Sequence, residues 1–179
     1  EFVAPTEEAI ALLLRVRESG RSSIAATAQY DAITQLVRLQ RWPQARSELA
    51  DFRQHYPDHK LTPSLSAKAV AIYQGLDMPD AAASELMAMA VNDPSAAVRR
   101  DSLYMAAELF QQSGTTGRAI DAYRKYTREW REPALQNLEA QYQLVTLYEQ
   151  AGNQRERNLW IQSLAGNKVS EPRGRYLAA

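Results

Sequence analysis

Apolar and polar residues alternate along this chain with the period of an α-helix, in segments of about 10 to 18 residues. The stretch "TEEAIALLLRVRESG" opens the pattern, and "RRDSLYMAAELF" and "ALQNLEAQYQLVTLYEQ" continue it. Most of the glycine and proline falls between segments, in "ESGR", "RWP", "YPDH", "GLDMPD", "NDPS", "QSGTTG" and "QAGN", which predict helix stops and turns. Ala, Leu, Gln, Arg and Glu dominate, and no run alternates with a period of two, so no strand is predicted. The pattern predicts an all-α chain of about nine helices.

The segments repeat. A small residue early in a helix recurs as Ala45, Ala82 and Ala119, each 37 residues after the last, and Arg157 takes the fourth place after 38. Nine residues before each stands a bulky apolar group: Leu36, Tyr73, Phe110 and Tyr148. Four residues after come Leu49, Leu86, Tyr123 and Ile161, and seven after come Phe52, Met89, Tyr126 and Leu164. Pro57 and Pro94 follow the first two alanines by twelve residues.

These spacings predict a helical hairpin in each unit. The alanine lets helix A approach helix B closely, the bulky residue from the middle of helix A fills the gap, and the later pair lines one face of helix B. Proline stops helix B before the next unit. A lone hairpin cannot bury its apolar face, so stacked units share a continuous core. The expected organisation is one solenoid over 1–179: a trailing helix B at 1–21, repeats at 22–61, 62–97, 98–132 and 133–168, and the start of another helix A at 169–179. In the first segment Ala9, Leu13 and Val16 match the helix B phase. Neither end carries a polar capping helix, so the chain reads as a fragment of a longer repeat protein or as one that self-associates through open ends.

The pattern resembles the tetratricopeptide repeat, in Leu36–Ala45–Leu49–Pro57, Tyr73–Ala82–Leu86–Pro94 and Phe110–Ala119–Tyr123. It departs from the family in three ways. Only Tyr123 supplies the aromatic four after the alanine, and Ile33, Val70, Ala107 and Val145 replace the family's helix A glycine. The period also exceeds the family's roughly 34 residues. The resemblance implies a right-handed α-solenoid. "FRQHYPDHKL" followed by "AIYQG" is similar to bacterial envelope members, of the kind that coordinates the Tol-Pal system or assists outer-membrane barrel assembly. That similarity implies the periplasmic face of a Gram-negative envelope, with the cytoplasm as the alternative.

Composition narrows the chemistry. The chain holds 21 basic and 21 acidic residues, so no global field draws nucleic acid or anionic lipid. Its longest apolar run, "AIALLL" at 9–14, is too short to insert into a membrane. Absent cysteine excludes disulfides and thiolate sites. His55 and His59 stand four apart, yet Pro57 between them ends the helix, so the pair reads as an inter-repeat turn and not a metal site. Arg15, Arg17, Arg21, Arg38, Arg41 and Arg46 are interleaved with acids, as on a helix exterior laced with ion pairs. No phosphate loop, dinucleotide-type glycine cluster or nucleophile elbow occurs, and neither a catalytic residue nor a cofactor is assigned.

The resemblance places a partner-binding groove on the A helices. Phased from the bulky residue, Tyr30, Tyr104 and Tyr142 form a column, with Gln74, Gln111, Glu108 and Glu149 beside it as hydrogen-bonding groups. Tyrosine suits such a groove because it offers flat apolar area and a polar tip. Packing between neighbouring A helices explains the same tyrosines equally well. The expected function is a non-enzymatic scaffold for a partner peptide or helix, within a larger cell-envelope protein and without nucleic acid. A structural spacer, and an accessory domain of an envelope enzyme whose catalytic part lies outside this chain, are the alternatives.

Overall fold

The computed structural model describes residues 6–18, 20 and 22–166. Among them are nine helices and no strand: α1 (Glu7–Glu18), α2 (Ser23–Arg38), α3 (Trp42–His55), α4 (Leu65–Gly75), α5 (Pro79–Asn92), α6 (Ala96–Gln112), α7 (Thr116–Glu129), α8 (Ala134–Gln150) and α9 (Gln154–Ala165). The all-α expectation holds for these residues; the further helix expected at 169–179 lies outside them. The chain divides into two compact units, Glu1–Ala88 and Met89–Ala179, and the division falls within α5.

Local chemistry starts and stops the helices. Ser22 Oγ accepts from Ala25 N–H (3.1 Å) to cap α2, and Asn153 Oδ1 accepts from Glu156 N–H (3.2 Å) to cap α9. Pro43 sits in the first turn of α3, where its missing N–H costs no hydrogen bond. Trp42 and Pro43 therefore belong to the start of the helix and not to the turn before it.

Four helices end in one way. Gln40, Asp77, Gly114 and Gly152 have φ of 56°, 54°, 74° and 69°. The following residue (Arg41, Met78, Thr115 or Asn153) donates its N–H to the carbonyl of Leu36, Tyr73, Phe110 or Tyr148 at 2.8 to 2.9 Å. The left-handed residue itself donates to Val37, Gln74, Gln111 or Glu149 at 3.0 to 3.1 Å. This paired closure is the Schellman motif, which satisfies carbonyls that a helix end leaves orphaned. It recurs in the register of the sequence repeat. It also moves the bulky residue of each unit from the expected middle of helix A to its last turn, because that residue's carbonyl receives the closing bond.

In the unit Glu1–Ala88, α1 packs on α2, α2 on α3, and α4 on both α2 and α3. Ala26 and Ala45 are fully buried and allow the helices to approach, while Ile33, Leu36, Leu49 and Phe52 fill the space between them. α4 ends against the Trp42 indole. A Cβ on Gly75 would run into the Trp42 ring at Cε2, so only glycine fits there. Arg53 closes the exterior with two bonds to the Glu85 carboxylate (2.7 and 2.8 Å). In α1 the expected inward register is corrected. Val16 is exposed, and Ile10 and Leu14 meet the core instead. With this face inward, the Arg17 guanidinium reaches Glu48 on α3 at 3.0 Å.

In the unit Met89–Ala179, α6 packs on α7, α7 on α8, and α8 on α9. Ala119 is fully buried, as are Phe110, Tyr123 and Tyr126 around it. Asn137, at the start of α8, donates Nδ2–H to the carbonyls of Thr127 (3.1 Å) and Trp130 (2.6 Å), which completes the end of α7. Its Oδ1 accepts from Gln141 Nε2 (2.7 Å), and Gln141 Oε1 accepts from Ser163 Oγ (3.0 Å).

Candidate functional site

The sequence-predicted residues fall in both units. In the first, Tyr30 lies half-buried on α2, packed against the core, with Lys68 Nζ from α4 at 4.7 Å over its ring. This spacing fits a cation–π contact. Gln74 is exposed on the last turn of α4.

In the second unit three predicted residues share one face of α6, because Tyr104, Glu108 and Gln111 follow each other at helical spacing. That face meets α8 in a chain of hydrogen bonds. Tyr123 O–H donates to Gln111 Oε1 (3.1 Å), Gln111 Nε2 donates to Gln143 Oε1 (3.0 Å), and Gln143 Nε2 donates to Glu139 Oε1 (3.0 Å). Each amide thus uses its oxygen and its nitrogen once, and the chain fixes both side-chain orientations. Tyr142 lies half-buried on α8, where Thr146 Oγ1 donates to its carbonyl (3.3 Å). Glu149 is exposed at the end of α8, with Arg157 Nε 3.5 Å from its carboxylate. Arg157 therefore fills the fourth alanine position with an ion-pair partner.

Tyr104 is the buried member of this face. It is 9 % exposed, with its ring edge-to-face against Tyr123 (centroids 5.8 Å) and Tyr126 (5.1 Å). Of the two readings of the tyrosine column, packing describes Tyr104, though its partners come from α7 and not from a neighbouring A helix. Burial, with Glu108 and Glu139 nearby, pushes its phenol up to about 12. Burial raises the Tyr123 phenol further in the same direction.

The seam is acidic. Glu108 is exposed as a residue, but the packed seam partly desolvates its carboxyl, which raises it above the ordinary value, with the Glu139 charge adding in the same direction. A raised carboxyl means the folded chain holds the proton more tightly than the unfolded chain does. Its contribution to stability is therefore complete at acid pH and is lost as pH rises from the unfolded value through the raised one. Glu108→Gln is expected to raise the thermal midpoint at neutral pH while leaving it unchanged at acid pH. Melts of both proteins across that range check this, and equal midpoint gains at all pH values would refute it.

Sequence reasoning missed Gln143, Glu139 and the Tyr123 hydroxyl. The four-residue spacing of Glu139 and Gln143 marks a shared helix face, but which helix they meet depends on tertiary packing. His55 ends α3 and His59 lies in the turn beyond it. No described helix is long and apolar enough to cross a membrane. Comparison with family models, with curated proteins and with solved structures returns no match.

Proposed function

We propose that the chain is a tetratricopeptide-like right-handed solenoid that acts without catalysis, as a scaffold holding a partner peptide or helix along its A helices. The observation that carries this reading is the amide and carboxylate chain across α6 and α8, with Glu108 exposed beside it. A face that already satisfies its own amides keeps its shape and leaves carboxylate lone pairs for an incoming donor. The recurrence of one helix closure at one period supports the solenoid, as does the packing of α2 on both α3 and α4. Glu108 and Glu139 favour a partner segment that carries Lys or Arg.

Peptides selected from a displayed random library by the whole chain test the proposal. The double variant Glu108→Gln, Tyr142→Ala is expected to bind the selected peptides about tenfold more weakly, the scale of one lost charged hydrogen bond. Far-ultraviolet circular dichroism should show unchanged helicity. Equal binding by the double variant would sink the groove assignment.

On the sequence resemblance alone we further assign the chain to a larger protein at the periplasmic face of a Gram-negative envelope. A secretory signal encoded upstream would support that assignment, and a gene without one would return the protein to the cytoplasm.

A further inference from the structure

Gln29 on α2 is fully buried with its two amide atoms treated unequally. Its Nε2 lies 2.9 Å from Glu48 Oε2, 2.8 Å from Asp51 Oδ2 and 3.2 Å from the Glu48 carbonyl. Three acceptors around one nitrogen fix the amide orientation, since the flipped form would set its oxygen against two carboxylates. Among the described residues, Gln29 Oε1 then has no donor. Buried acceptors are rarely left so, because the lost hydration costs about 1–3 kcal/mol.

The repeat supplies an internal comparison. Gln141 stands three periods after Gln29, and Ser163 stands three periods after Asp51. At the later place Ser163 Oγ donates to Gln141 Oε1 and the amide is complete. At the earlier place the serine is replaced by Asp51, which can only accept. Among the described residues, then, the first unit lacks the donor that the equivalent place in the second unit holds.

A cavity of about 300 Å³ adjoins this amide, lined by Arg17, Gly20, Gln29, Asp51, His55 and Tyr56. Asp51 and His55 add further acceptors to it. His55 Nδ1 lies 2.9 Å from the Asp51 carbonyl and 3.0 Å from Asp51 Oδ1, which places a proton on Nδ1; in the tautomer that these acceptors select, Nε2 is the accepting nitrogen. Among the described residues Arg17 is the cation of this lining, and three carboxylates share its guanidinium: Glu48 at 3.0 Å, Asp51 at 3.6 Å and Glu18 at 3.7 Å. These described side chains thus carry more negative than positive charge. Tyr56 adds an aromatic ring to the lining.

We propose that this cavity binds a protonated alkyl amine or guanidinium, through Asp51, His55 and the orphan oxygen of Gln29. Such a cation brings several N–H donors and one positive charge, which complement the orphan oxygen and the carboxylates of the described lining. Asp51 and His55 are half-buried and meet the cation first; the covered Gln29 oxygen completes its shell as the lining relaxes. The site lies in the first unit and does not depend on the seam between α6 and α8. Its chemistry is shared by the side chain of a basic partner segment and by a free small amine.

Titration of the whole chain with n-butylammonium, followed by the Gln29 side-chain amide and His55 ring resonances, tests the proposal. Saturating shifts are expected with n-butylammonium and with propylguanidinium, and none with n-butanol or acetate. Asp51→Asn keeps an acceptor for Gln29 and is expected to weaken the cation about tenfold without loss of helicity. Gln29→Met removes the oxygen and provides a second variant with the same expected direction. A capped Ala-Lys-Ala peptide that binds about tenfold more tightly than n-butylammonium assigns the site to a protein partner, and equal affinity assigns it to a free amine. Shifts that never saturate, an equal response to n-butanol, or a bound water as the only occupant of the Gln29 oxygen would overturn the proposal.

Discussion

Phe52→Ala is expected to destabilise the chain by about 3–5 kcal/mol, as buried aromatic truncations do. Phe52 is fully buried on α3, one turn beyond Leu49 and two beyond Ala45. Its ring lies 5.1 Å from that of Tyr56, tilted by 53°, and 6.0 Å from the His59 ring at 77°. Alanine would forfeit the ring's transfer from water and leave a void that helices joined by tight turns cannot close. Phe52→Leu keeps most of the volume and should lose less than about 1.5 kcal/mol. Urea denaturation followed by circular dichroism measures both. A loss below about 1 kcal/mol for the alanine variant would mean that the first unit repacks around the void.

Tyr104→Ala should also cost about 3–5 kcal/mol, whereas Tyr142→Ala should cost no more than about 1–2. The two residues occupy the same place in the repeat, but their surroundings differ. Tyr104 is 9 % exposed and closes an aromatic cluster with Tyr123 and Tyr126, whose edge-to-face pairs add about 0.5–1.5 kcal/mol beyond burial. Tyr142 is half-buried on α8 and retains more of its hydration. The Tyr104 phenol also sets a pH limit on stability. With the value pushed up to about 12, stability is held below the ordinary tyrosine range and falls as pH rises through that range towards the raised value. Equal losses for the two alanine variants would show that both tyrosines are core and would remove Tyr142 from the proposed groove.

The repeat register was readable because it depends on spacings within single helices. Ala45, Ala82 and Ala119 are all fully buried, and Leu49, Leu86 and Tyr123 are buried four residues later, as is Ile161 four after Arg157, as helical periodicity requires. The shared helix closure was half readable. Gly114 and Gly152 mark it by residue type, but Gln40 and Asp77 adopt the same left-handed conformation without glycine's cue. Val16 was misjudged because an apolar residue in phase with a repeat says nothing of which face its helix turns inward. The ion pair of Arg17 with Glu48 bears on that face, and the two residues lie on different helices.

The amino-acid sequence by itself therefore determined the helices, their order and the small and bulky positions at which neighbours meet, because hydrophobic period and turn chemistry act over a few residues. Tertiary structure alone decided that Tyr104 is core, that Gln111 is joined to Gln143, and that Gln29 keeps an acceptor to which no described residue donates. Each of these depends on which polar or aromatic group a second helix brings within hydrogen-bond or ring-contact distance, and no spacing along one helix encodes that meeting.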